Sequence, residues 1–133
     1  MGFALVMLLV MEVKHYLADF PLQIEYMQGK FARVGWKVPL MCHAAVHALM
    51  TFVVVAVSVY VMGMPQLLVM SLMLAMFDGG THFVIDRVKA HPDIGGKFTY
   101  TEKQFWNNIG LDQMAHHLVQ LAIVAMLAYA VVG

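Results

Sequence analysis

Four apolar runs leave this chain little choice but to fold in a lipid bilayer. They cover about residues 1–22, 40–62, 66–88 and 110–132, each close to the roughly 20 apolar residues that carry a helix across a hydrocarbon core. Hydrophobic residues make up 62% of the 133 positions and charged residues only 12%, where soluble domains carry about 25% charged. The expected fold is all-α: a single transmembrane domain, residues 1–133, forming an integral membrane four-helix bundle of up-down-up-down topology. The first run ends at Phe20-Pro21, the second opens just after Pro39, and Gly63-Met64-Pro65 makes a tight turn between the second and third. Within the first run, the purely apolar stretch Met1 to Met11 has no basic residue before it, and Glu12, Lys14, His15 and Asp19 follow it in place of a small-residue cleavage site. That run is therefore expected to be a retained span.

Polar residues gather in two connections, 23–39 and 89–109. In the first, Glu25, Lys30, Arg33 and Lys37 alternate with Ile24, Tyr26, Phe31 and Trp36, a mixture that suits a short amphipathic helix lying in the membrane interface. The second holds His91-Pro92-Asp93, Gly95-Gly96 and Phe105-Trp106, long enough to cover a site, with Asn107 and Asn108 as candidate caps of the last helix. All eight Lys and Arg lie at one end of the helices or in these connections. The positive-inside rule then makes that end cytoplasmic and sends both termini outside. Zero net charge suggests no nucleic-acid partner, and the lone Cys42 excludes an internal disulfide.

Chemistry is concentrated in pairs of ligand-type residues four apart, the spacing that places both on one helix face. The pairs are His15 and Asp19, His43 and His47, His82 and Asp86, and Asp112 and His116. Depth matters as much as spacing. His15 and His82 lie about six residues before the ends of their runs and His47 and His116 about seven after the starts of theirs, which at 1.5 Å per residue puts all four roughly 10 Å inside the charged boundary. Asp19, His43, Asp86 and Asp112 form a second layer one turn nearer that boundary. Glu12, Asp78 and Gln120 lie deeper, where they are expected to hold imidazole tautomers.

Imidazole with carboxylate suits a divalent transition metal. Zinc is the leading expectation, with iron or manganese as alternatives. Eight candidate ligands (His15, Asp19, His43, His47, His82, Asp86, Asp112 and His116) exceed what one tetrahedral ion needs, so one or two ions are expected. Ionisable groups at this depth are costly unless they do something. The competing reading is a polar network that merely ties the helices together. His91, before a proline, reads as a solvated loop residue, and His117 as a helix-contact residue. Gly79-Gly80 is expected to permit close helix approach or a kink.

The run His15-Tyr-Leu-Ala-Asp19-Phe-Pro-Leu-Gln23, then His43-x3-His47, His82-x3-Asp86-Arg-x-Lys89 and Asp112-Gln113-x2-His116, resembles a family of small bacterial and phage membrane proteins, domain-of-unknown-function family 3307. The resemblance spans nearly the whole chain and implies a bacterial inner-membrane location. It also implies a loose kinship with His/Asp-rich membrane families described as metal-dependent hydrolases.

The leading functional expectation is a metal-dependent hydrolase working at the cytoplasmic interface on a lipid or lipid-linked substrate. Asp19, Asp86 or Asp112 would accept a proton, and Lys14, Arg87 and Lys89 read first as positive-inside flanks and second as contacts for a phosphate-bearing head group. The alternatives are an oxygen-activating di-iron enzyme, a structural metal, an ion path, and a partner-binding effector without catalysis.

Overall fold

The computed structural model describes residues 2–132, which form four long helices and no strand. These are α1 (Gly2–Asp19), α2 (Lys37–Val61), α3 (Leu68–Ala90) and α4 (Lys103–Val132), with a 3-10 segment at Glu25–Phe31 and a short 3-10 turn at Pro65–Leu67 ahead of α3. Each helix packs against the next, and α4 closes back on α1. The chain is an all-α bundle of the expected class. The stretches Lys37–Val61, Pro65–Ala90 and Lys103–Val132 are each long and apolar enough to cross a membrane. Only 28–33% of their most apolar windows is buried inside the bundle, so the rest of that apolar surface needs lipid against it. Although α1 carries Glu12, Lys14 and Asp19, its outer face is Leu5, Val6, Leu9 and Val13, all exposed, while Lys14 and His15 turn inward.

Local chemistry explains where the helices stop. The Gly63 N–H bonds the Tyr60 carbonyl at 3.0 Å and the Met64 N–H bonds the Val59 carbonyl at 2.9 Å. With Gly63 at φ 71°, this is the left-handed glycine termination that satisfies the last carbonyls of a helix. Pro92 ends α3 by forcing His91 into extended backbone. Helix α4 starts at Lys103, earlier than the apolar run beginning near residue 110, and Thr99 and Glu102 close the turn that leads into it. The Thr99 backbone N–H and hydroxyl both donate to Glu102 Oε2, at 2.7 and 2.8 Å, and they hold that carboxyl below its usual range. Asn107 and Asn108 lie inside the helix and do not cap it. The connection after α1 also differs from expectation. It is a 3-10 segment in place of an α-helix, packed on α2 with Met27 and Lys30 turned inward.

The interior is divided by polarity. Toward the uncharged end, Met7, Met11, Val55, Val59, Leu74, Ile123, Val124 and Leu127 form the apolar core. Toward the charged end the core is polar. The tightest contact is α2 on α3, where a Cβ at Gly79 would lie 2.9 Å from Ala48 Cβ and 3.3 Å from the Ala44 carbonyl. The absent side chain sets that approach, whereas Gly80 faces open space. Gly79→Val is expected to wedge α2 from α3 and to cost about 1–3 kcal/mol. Gly80→Ala should leave stability unchanged. Thermal denaturation of both purified variants checks this, and equal melting temperatures would remove the close-approach role.

Candidate metal centre

Helical periodicity delivers one ligand pair per helix to the bundle axis. His43, His47, His82, His116, Asp86, Asp112 and His15 are buried, and Asp19 keeps 14% of its side chain exposed. His82 is central. Its ring stacks on His47 with centroids 3.5 Å apart and on His116 at 4.1 Å, and its Nε2 lies 3.2 Å from His43 Nε2. Asp19 Oδ1 is 3.0 Å from His47 Nε2, 3.3 Å from His43 Nε2 and 3.9 Å from His82 Nε2. Ligand atoms around a tetrahedral ion with bonds of about 2.0–2.1 Å stand roughly 3.3 Å apart. Asp19, His43, His47 and His82 therefore already hold near-coordination spacing, with all four ligand atoms within 4.8 Å of one another.

A second group, His82, Asp86 and His116, meets the same limit. Asp86 Oδ2 is 3.7 Å from His82 Nε2, and Asp86 Oδ1 is 3.5 Å from His116 Nε2. Sharing His82 couples the two groups. Two of the eight expected ligands fall outside both. His15 stands beside the cluster, its Nε2 3.1 Å from Asp19 Oδ2 and its ring 5.0 Å from His116. Asp112 lies at the margin, with Oδ1 3.5 Å from His116 Nε2 and Oδ2 accepting from Lys89 Nζ at 2.8 Å.

Hydrogen bonding leaves a specific deficit here. His15 Nε2, His116 Nε2 and Asp112 Oδ1 are buried without a hydrogen-bond partner, and each such atom costs about 1–3 kcal/mol. Of these three atoms His116 Nε2 belongs to a metal-capable group, whereas His15 Nε2 and Asp112 Oδ1 lie outside both groups. The Nδ1 atoms of His43, His47 and His82 also lack partners among the described residues, so those three rings are held by protein groups only through Nε2. Gln120 fixes a different one: with its amide turned to satisfy both ends, its Oε1 accepts from His15 Nδ1 at 3.1 Å and its Nε2 donates to Glu12 at 3.1 Å.

Glu12 and Asp78 do not hold imidazoles of the cluster as expected. Glu12 pairs with the half-exposed His117, 2.9 Å away, across the α1–α4 contact. Asp78 takes Lys14 Nζ at 2.7 Å and the Thr51 hydroxyl. Lys14 is thus sealed in the bundle by an ion pair. It is neither a topological flank nor a head-group contact. Its position was readable, because residues 7, 11, 14, 15 and 18 make the buried stripe of α1. Arg87 is likewise committed elsewhere, its guanidinium 3.7 Å above the Trp36 ring. His91 forms the turn after α3, bonding the Asp93 N–H through Nδ1, away from the cluster.

Two lysines reach the centre from the charged side. Lys30, carried in by the 3-10 segment, bonds Asp86 Oδ2 at 2.6 Å and Gln23 Oε1 at 2.7 Å. Lys89 approaches Asp86 Oδ1 at 3.3 Å besides bonding Asp112. No spacing rule marks Lys30, which sits in a connection. A pocket of about 380 Å³ opens above them, with Asp19, Asp112, Lys30 and Lys89 among its lining residues. Two edge carboxylates of the cluster are therefore reachable from the charged face.

The profile of a family described as Protein of unknown function (DUF3307) matches residues 5–132. No curated protein and no solved structure is significantly similar to the chain.

Proposed function

The chain belongs to the DUF3307 family, and from its own geometry we propose that it is a membrane-embedded metal protein acting as a metal-dependent hydrolase at the charged membrane face. The observation that carries this reading is the gathering of ligand atoms of Asp19, His43, His47 and His82 within 4.8 Å of one another beneath a pocket that reaches Asp19 and Asp112. A divalent ion, zinc before iron or manganese, supplies Lewis acidity and lowers the pKa of water toward neutrality. Asp112 is the proton acceptor of choice, because it lines the pocket, lies outside both metal-capable groups and keeps Oδ1 unpartnered. Asp86 is engaged by two lysines, and Asp19 belongs to the ligand set.

Orientation follows from charge. Arg33, Lys37, Arg87, Lys97 and Lys103 remain near the pocket end after Lys14 is set aside, which supports a cytoplasmic site with both termini outside, in a bacterial inner membrane. Transport is disfavoured, since apolar side chains fill the bundle between the centre and the uncharged end.

A second reading, a metal-free ionic network, draws on the Lys30–Asp86 and Lys89–Asp112 pairs. It leaves His15 Nε2 and His116 Nε2 at ion-pair distance from carboxylates but without hydrogen-bond geometry, where a network selected to tie helices would bond them.

The test is chelator-stripped protein reloaded with zinc, manganese or iron(II), assayed on chromogenic phosphate monoesters, phosphodiesters and carboxyl esters. Turnover that vanishes on chelation and returns on reloading is expected. Metal-replete protein that cleaves none of these would overturn the hydrolase assignment, and an oxygen-sensitive iron spectrum would redirect it to oxidative chemistry.

A further inference from the structure

The charge balance of the centre says what its pocket should hold. Three carboxylates, Asp19, Asp86 and Asp112, face two ammonium groups, Lys30 and Lys89. The Lys14–Asp78 pair is internally neutral. One divalent ion turns this assembly from one net negative charge to one net positive, and a second ion adds two more. Uncompensated charge at membrane depth is costly, because a low dielectric strengthens every Coulomb term. With its metal in place, the centre therefore calls for an anion.

Geometry narrows the anion. Lys30 and Lys89 converge on opposite oxygens of one carboxylate, Asp86 Oδ2 at 2.6 Å and Asp86 Oδ1 at 3.3 Å. Both also line the pocket. Two ammonium groups within reach of one small oxyanion suit phosphate, whose several oxygens can meet both lysines and still face the centre. Phe20, Phe31, Phe98 and Phe105 supply an aromatic part of the wall, and amides such as Gln28 and Asn108 line it beside them. At about 380 Å³ the pocket is in the size range of small-ligand sites, and it leaves room for a substituent on the phosphate.

We propose that this pocket binds a phosphate group, with Lys30 and Lys89 as its cationic contacts and the aromatic wall receiving any apolar substituent. The proposal rests on the metal-centre reading, because the ion is what reverses the charge. The phosphate could arrive free or as a lipid head group, and the ligand series separates those sources.

The experiment is calorimetric titration of metal-loaded protein in nonionic detergent with inorganic phosphate, dihexanoyl phosphatidic acid and neutral dihexanoylglycerol, with bound metal measured in each sample. Phosphatidic acid is expected to bind and dihexanoylglycerol not. Binding of inorganic phosphate as well would show that the oxyanion suffices, and its failure would assign the site to lipid head groups. Lys30→Met with Lys89→Met should weaken binding by roughly tenfold or more. Lys30→Arg with Lys89→Arg, which keeps both charges, should retain it and guards against a folding artefact. Metal-loaded wild-type protein that binds neither phosphate compound overturns this proposal alone. Folded protein that cannot be loaded with metal overturns the centre, and this proposal with it.

Discussion

His82→Ala is expected to reduce metal affinity by about a hundredfold or more, since even residues that only support ligands commonly change affinity ten- to a hundredfold. No other residue belongs to both metal-capable groups. Its ring is stacked between those of His47 and His116, so truncation removes a donor and loosens its neighbours together. His82→Gln provides a variant of closer volume. His91→Ala and His117→Ala should keep full metal content, because His91 sits in the turn after α3 and His117 reaches outward to Glu12. Competitive titration against a chromogenic chelator reads the affinities, with circular dichroism and size-exclusion chromatography reporting the fold. Wild-type affinity in a folded His82 variant would remove the shared-ligand geometry.

Asp112→Asn is expected to lower hydrolytic turnover by about 10²–10⁴-fold while leaving metal content and fold intact. That is the usual contribution of a positioned proton acceptor. The substitution keeps the side-chain shape and an oxygen for Lys89 Nζ, now 2.8 Å from Asp112 Oδ2, but cannot take up a proton at the unpartnered Oδ1. Steady-state kinetics on the best substrate of the hydrolase screen, with metal analysis of the same sample, checks both halves. Undiminished turnover removes Asp112 from the mechanism, and lost metal would make it a ligand instead.

The inner faces of the helices were legible from spacing alone. Residues four apart share a face, and rise per residue sets depth, so His15, His47, His82 and His116 could be placed at one level and do meet in the structure. Gln120 beside His15 was legible for the same reason. What spacing could not reveal is how the connections return to the bundle. Lys30 enters from a 3-10 segment whose path depends on packing against α2, and a periodic pattern carries no information about such a segment. The Lys14–Asp78 pair was hidden differently. Asp78 was visibly deep, but positive-inside counting treats every lysine, Lys14 included, as a flank, while burial beside a carboxylate makes this one a partner. The start of α4 was only partly legible: Asn107 and Asn108 pointed to a start before residue 110, and the helix begins earlier still, at Lys103.

Everything functional rests on whether Asp19, His43, His47 and His82 hold an ion. Elemental mass spectrometry of the detergent-purified protein, quantified against protein concentration, tests this most directly. The account predicts one or two equivalents of zinc, iron or manganese, removed by chelation and restored on reloading. Folded protein that carries none and cannot be reloaded would contradict it, leaving the histidine cluster as a polar network between helices.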